Sequence, residues 1–218
     1  VDYSYFEGVG QTEITDLVVT LGDVMGAFAT TVNGGTDYLE GISHLIGTTG
    51  NDRIAGNAWS NRLDGFWGDD TIFGMHGDDT IFGGSGNDRL GGDNDWGVQG
   101  GSSAWGRDSI SGDEGDDWIL GGNGYDRISG GTGHDTLDYS QLFDDWGEGE
   151  YYVIVDLMAG ASNKYFYSYI DSAAFLIGVD GIVSGAQNGM EAVIGTVHGD
   201  TLRGHFLNDT FYGGGGAD

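Results

Sequence analysis

The chain of 218 residues sets 35 acidic side chains against seven lysines and arginines, a formal net charge of −28, which excludes nucleic acid as a default partner and disfavours an anionic membrane surface. Its 45 glycines without any proline exclude collagen, and the lack of cysteine excludes both a disulfide framework and a thiolate zinc site. Aromatic residues make up 12% of the chain, too many for an acidic solvating tail, so the carboxylates either form a plain solvated surface or recur in register.

In chain order, residues 1–46 read as an irregular apolar segment in which Leu17-Val18-Val19-Thr20-Leu21 is a predicted strand. From Gly47 to Asp138 a nine-residue unit takes over. Five units start at Gly47, Gly56, Gly65, Gly74 and Gly83, residues 92–102 interrupt, and four more start at Ser103, Gly112, Gly121 and Gly130. Residues 139–194 form a second irregular segment with a predicted strand at Tyr152-Val153-Ile154-Val155-Asp156-Leu157. Ile194-Gly195-Thr196 then repeats Ile46-Gly47-Thr48, and a second array runs over 195–218 with units at Gly195, Gly204 and Gly213. Val1-Asp2-Tyr3-Ser4 likewise matches Leu137-Asp138-Tyr139-Ser140, so the expectation is a piece of a longer, duplicated protein that starts and stops within its pattern. The sequence holds no run of about eighteen apolar residues and no leader-like start, which predicts neither a membrane span nor a cleavable export signal.

Within the unit, position six is Asp in eleven of twelve copies, the exception being Asn61, and position eight is apolar wherever the unit reaches it. Positions seven to nine therefore predict a three-residue strand with its middle side chain inward, and the glycine-rich positions one to six predict a chain reversal. Two units make one turn of an all-β parallel coil, a β-helix-like solenoid. Its inward ladder is Ile54, Leu63, Ile72, Ile81, Leu90, Ile110, Ile119, Ile128 and Leu137. Alternation of sides predicts Asp52, Asp70, Asp88, Asp108 and Asp126 on one edge, Asn61, Asp79, Asp117 and Asp135 on the other, with 92–102 filling a missing half-turn.

Carboxylates stacked at the strand spacing repel by about 0.9 kcal/mol per neighbouring pair even in water. A divalent cation between turns reverses that sign. Calcium fits best, because it takes six to eight oxygen ligands and accepts backbone carbonyls beside carboxylates, whereas magnesium demands stricter geometry and zinc or copper seeks nitrogen or sulfur.

These units resemble the repeats-in-toxin, or haemolysin-type calcium-binding, β-roll family, whose repeat is G-G-x-G-x-D-x-U-x. The resemblance implies a parallel β-roll holding several calcium ions between consecutive turns. Its ligands would be Asp52, Asp70, Asp79, Asp88, Asp108, Asp117, Asp126, Asp135, Asp200, Asp209 and Asp218, more weakly Asn61, with backbone carbonyls near Gly68, Gly77, Gly84, Gly86, Gly115, Gly122, Gly124, Gly131 and Gly133. It also implies bacterial export through an uncleaved C-terminal signal and folding on meeting external calcium. The chain departs from the repeat where Trp59, His198 and Leu207 replace the fourth-position glycine and where 92–102 lacks a sixth-position acid. Asp93 and Asp95 are candidate non-standard ligands there, with a solvated loop as the competing reading.

Other chemistry is poorly supported. His76, His134, His198 and His205 fall in turns without zinc-ligand spacing, and neither H-E-x-x-H nor G-x-S-x-G occurs. Paired acids such as Asp69-Asp70, Asp78-Asp79 and Asp116-Asp117 are better explained by a repeated metal turn than as hydrolytic carboxylates. Phe66, Trp67, Trp96, Trp105, Trp118 and Trp146, with Tyr165-Phe166-Tyr167-Ser168-Tyr169, either pack under the irregular loops or present a surface for a partner, including a cell-surface polysaccharide. Segment 160–188 is a candidate contact with a neighbouring domain or subunit. The expected function is a non-enzymatic, extracellular calcium-binding structural module of a bacterial adhesin or surface-layer protein. The alternatives are the C-terminal secretion and folding module of an exported protease, lipase or polysaccharide epimerase, and a self-assembling subunit that stacks on its own repeats.

Overall fold

A computed structural model describes residues 17–21, 27–31, 36–39, 42–93, 106–120, 122, 124–140, 149–156, 161–168, 173–183, 190–196, 198–204 and 209–218. Among them the regular structure is all strand, and no helix is long and apolar enough to cross a membrane. The first array is a two-sheet parallel roll. Strands β4 (His44–Ile46), β6 (Arg62–Trp67), β8 (Thr80–Ser85), β10 (Ser109–Glu114) and β12 (Arg127–Thr132) form one wall. The other wall holds β5 (Arg53–Asn57), β7 (Thr71–Met75), β9 (Arg89–Gly91), β11 (Trp118–Leu120) and β13 (Asp135–Asp138).

Position eight builds the core between the walls. Leu45, Leu63, Ile81, Ile110 and Ile128 stand in register on one side, and Ile54, Ile72, Leu90, Ile119 and Leu137 on the other, none more than 3% exposed. Strands reach six residues where the sequence predicts three, because the alternation continues past the unit boundary. In β6 and β12 the pattern of burial makes the position-one glycine the second inward residue. An added Cβ at Gly65 would strike the Asp70 carboxylate and the Gly83 carbonyl, so this corner must be glycine for the turn to close.

The interruption adds no half-turn to the ladder, contrary to the expectation. Ile81 pairs with Ile110 and Leu90 with Ile119, so strands 29 residues apart replace the usual 18 and the walls keep alternating. Looping out eleven residues costs little closure entropy, whereas a half-turn without an inward apolar residue would break the core ladder. Residues 94–105 lie outside the described residues, including Asp95, Trp96 and Trp105.

The irregular segments also pair. β1 (Leu17–Thr20) lies parallel to β5 and starts an antiparallel meander through β2 (Ala27–Thr31) and β3 (Thr36–Leu39). Residues 152–156 of the strand predicted at 152–157 fall in β14 (Gly149–Asp156), Leu157 lying outside the described residues, and β14 joins β15 (Ala161–Ser168) and β16 (Ala173–Val183) in a second antiparallel meander. That meander extends one wall from β12 to β18 (Thr201–Arg203), while β17 (Met190–Ile194) extends the other from β13 to β19 (Thr210–Tyr212). The aromatic run at 165–168 is thus strand backbone in β15; Tyr169 and Trp146 lie outside the described residues.

Candidate metal centre

The turns between walls carry the sixth-position acids, and hydrogen bonds settle which acids share an edge. The backbone N–H of Asp52 donates to Asp70 Oδ1 at 2.7 Å, Asp70 to Asp88 at 2.7 Å, Asp88 to Asp117 at 2.8 Å and Asp117 to Asp135 at 3.0 Å. On the opposite edge Asn61 donates to Asp79 at 2.7 Å, Asp79 to Asp108 at 2.8 Å and Asp108 to Asp126 at 3.0 Å. Asp117 and Asp135 therefore stand with Asp52, Asp70 and Asp88, and Asp108 and Asp126 with Asn61 and Asp79. The sequence expectation had exchanged these pairs because it counted 92–102 as a half-turn. In the second array, Asp200 N–H donates to Asp218 Oδ1 at 2.9 Å in the same manner.

The carboxylates turn inward. Asp52, Asp70, Asp79, Asp88, Asp108, Asp117, Asp126, Asp135 and Asp200 are all at most 5% exposed. In Asp70, Asp79, Asp88, Asp108, Asp117, Asp126 and Asp135 one oxygen takes the inter-turn N–H; the Oδ2 atoms of Asp70, Asp79, Asp88 and Asp117 are buried with no hydrogen-bond partner. Burial, with charges on neighbouring turns, pushes the carboxyls up from 3.8 against the pull of the inter-turn N–H. Asp70 and Asp108 reach about 8, Asp79 and Asp88 about 7, and Asp117 about 6. Asp93 adds charge to Asp79 and Asp108, and its Oδ2 packs over Gly122, where an added Cβ would lie 2.7 Å away.

Main-chain oxygens complete the donor set. The carbonyls of Gly50, Gly68, Gly86 and Gly115 each face the backbone of the next turn on one edge, as those of Gly77 and Gly106 do on the other. Gly68, Gly77, Gly86, Gly115, Gly124 and Gly133, all at position four, hold positive φ between 102° and 139°, a conformation glycine adopts without strain. Gly84, Gly122 and Gly131, at position two, also have positive φ, of 111°, 47° and 119°. Sequence reasoning had not named Gly50 or Gly106, whose turns carry the same pattern.

Two further features escaped it. Fifth-position side chains form an outer ladder on one edge: Asp69 N–H donates to Asn51 Oδ1, Asn87 to Asp69, Asp116 to Asn87 and His134 to Asp116, at 2.8–2.9 Å. Position two comes in two forms. Phe66, Met75 and Asp113 take positive φ of 81°, 81° and 74°, as Gly84 and Gly131 do, while Thr48, Asn57 and Thr196 do not. Where φ is not positive, the position-two N–H donates to the sixth-position side chain of its own turn: Thr48 to Asp52 Oδ2 at 2.5 Å, Asn57 to Asn61 Oδ1 at 2.9 Å and Thr196 to Asp200 Oδ2 at 2.5 Å.

Buried unpaired anionic oxygens stacked beside backbone carbonyls are a donor set for a hard, oxygen-seeking cation. Among the described residues no three His, Asp or Glu side chains converge as a metal cluster, so carboxylates from successive turns and carbonyls would have to share each ion. The RTX calcium-binding nonapeptide repeat (4 copies) family model matches residues 39–65, 46–81, 64–95, 103–137 and 194–218, over half of the chain. The chain belongs to this RTX repeat family. Its repeats bind calcium, and the chain is a calcium-binding β-roll module whose repeat region is structural, not itself catalytic. No curated protein matches the chain. In this RTX β-roll Trp67, 55% exposed, stacks on Phe66 at 5.2 Å, and the Trp118 indole N–H donates to Asp138 Oδ2 at 3.0 Å.

Proposed function

We propose that this chain is an extracellular module that folds on binding calcium and serves as a structural part of a secreted bacterial adhesin or surface-layer protein. The observation that carries this reading is the series of buried, unpartnered Oδ2 atoms at Asp70, Asp79, Asp88 and Asp117. Leaving buried anionic oxygens unpaired is costly, so the calcium-free roll is destabilised at each of these four turns and the loaded roll is not. The ions would be held by Asp70, Asp79, Asp88, Asp108, Asp117, Asp126 and Asp135 with the fourth-position carbonyls, and by Asp209 and Asp218 in the second array. Low calcium inside a cell and high calcium outside would then time folding to follow export. Circular dichroism during a calcium titration at pH 8 tests the reading. Strand signal should appear cooperatively with calcium and vanish in chelator; strand content indifferent to both would refute it.

A second reading is association through stacked repeats. Phe211 occupies the inward position eight in β19 yet is 37% exposed, and Tyr212 beside it is 59% exposed. Further strands laid on β19 would cover Phe211 as Val193 is covered. Sedimentation velocity with calcium should show concentration-dependent association, and a monomer at every concentration would exclude it.

A further inference from the structure

Calcium need not enter every turn, and the residue at position two divides the turns into two classes. In the turns that begin a row, 47–52, 56–61 and 195–200, position two is Thr48, Asn57 or Thr196. Its side-chain oxygen accepts the N–H of position four: Gly50 to Thr48 Oγ1 at 3.2 Å, Trp59 to Asn57 Oδ1 at 2.9 Å, His198 to Thr196 Oγ1 at 3.1 Å. Its own N–H donates to the sixth-position side chain, and the threonine hydroxyls donate to the other carboxylate oxygen, at 2.8 Å in Asp52 and 3.0 Å in Asp200. Both oxygens of these two carboxylates are therefore satisfied by a single threonine within the same six residues.

The inner turns differ at one backbone angle. Phe66, Met75, Gly84 and Asp113 have positive φ, and in the same turns the Oδ2 atoms of Asp70, Asp79, Asp88 and Asp117 are buried without a partner. Rotating position two into the left-handed region reorients its N–H, and the carboxylate oxygen that a closed turn satisfies internally is left for an ion. Three of these four residues are not glycine, so the conformation is held against the steric preference of a side chain for negative φ. Such strain at repeated positions beside an unpaired oxygen is what a ligand site would exact.

We propose that position two is the switch that sets calcium occupancy. Turns closed by Thr48, Asn57 or Thr196 take no ion at their sixth residue and act as calcium-independent starting caps, and turns opened by positive φ each take one. This rests on the calcium reading above but assigns the ions unevenly: Asp52, Asn61 and Asp200 bear the motif and bind none. The caps also explain why Thr recurs at position two where each array begins, after Ile46-Gly47 and Ile194-Gly195.

Calcium stoichiometry of the full chain, by native mass spectrometry and equilibrium dialysis, tests this in both directions. Thr48→Gly permits positive φ and removes the hydroxyl, so it should bind one ion more than the wild type. Thr48→Val removes the hydroxyl but resists positive φ, so it should gain none and should lower the folding equilibrium at limiting calcium roughly tenfold, the scale of a hydrogen bond to a charged group. Thr48→Ser should restore it. Met75→Thr, at an open turn that already accommodates a Cβ, should bind one ion fewer. Unchanged ion counts in Thr48→Gly and Met75→Thr, with both variants still folding on calcium, would overturn the switch. A wild type that binds no calcium would instead refute the proposed function.

Discussion

At Asp70 and its neighbour Asp69, two adjacent acids do different work. Asp69 is exposed, and its Oδ1 accepts the Asn87 N–H at 2.8 Å, a bond an asparagine would keep. Asp70 is buried with Oδ2 unpartnered, where an amide nitrogen would replace the anionic oxygen. Asp70→Asn should therefore weaken calcium-driven folding about tenfold or more, and Asp69→Asn by no more than about threefold; calcium midpoints from circular dichroism decide between them. The sixth-position acids were legible in the sequence because they recur in eleven of the twelve units. The closing role of Thr48 and Asn57 was not, because a side-chain bond to a backbone N–H two residues on leaves no period when it occurs only at row starts. Positive φ at Phe66 and Met75 was hidden for another reason: residue type there argues against the conformation the roll imposes.

At the scale of the element, each wall needs one inward apolar residue per strand, and this requirement decided the path through the interruption. Ile81 meets Ile110 and Leu90 meets Ile119 directly, so the interruption adds no turn to the ladder. Deleting 94–104 would join Gly92-Asp93 to Trp105-Gly106-Arg107-Asp108, a regular unit. The deletion should fold with calcium at least as well as the parent, with a gain of under about 1 kcal/mol from the shorter loop. A variant that no longer folds would show that the loop supports the roll. The same inward requirement explains what the sequence did give: the position-eight ladder was readable residue by residue, while row membership beyond the loop was not, since it depends on spatial alternation instead of residue count. Four of the seven basic residues, Arg53, Arg62, Arg89 and Arg127, occupy position seven on the flat walls and Arg203 occupies position nine, and Arg62 lies 4.3 Å over the Phe82 ring, so the turn edges of the first array keep Arg107 as their one basic residue in sequence and stay strongly acidic.

For the whole molecule, the raised carboxyls give calcium-free stability a definite pH dependence. Their unfolded value is 3.8 and their folded values run from about 6 to about 8, so the folded state binds more protons between these limits. Stability from this source is fully present below about pH 4 and is lost as pH rises through 6 to 8. In chelator, strand content should accordingly be higher at pH 5 than at pH 8, with protons standing in for ions on the buried oxygens. Because calcium must displace those protons, its apparent affinity should fall as pH drops below about 7. Equal strand content at pH 5 and pH 8 in chelator would contradict this balance.

Crystals grown with calcium and measured at a long wavelength offer the most direct check that cations sit between the stacked turns. An anomalous difference map should place peaks beside Oδ2 of Asp70, Asp79, Asp88 and Asp117, in two columns along the edges of the roll. A well-ordered roll whose map is empty at those oxygens would contradict the account.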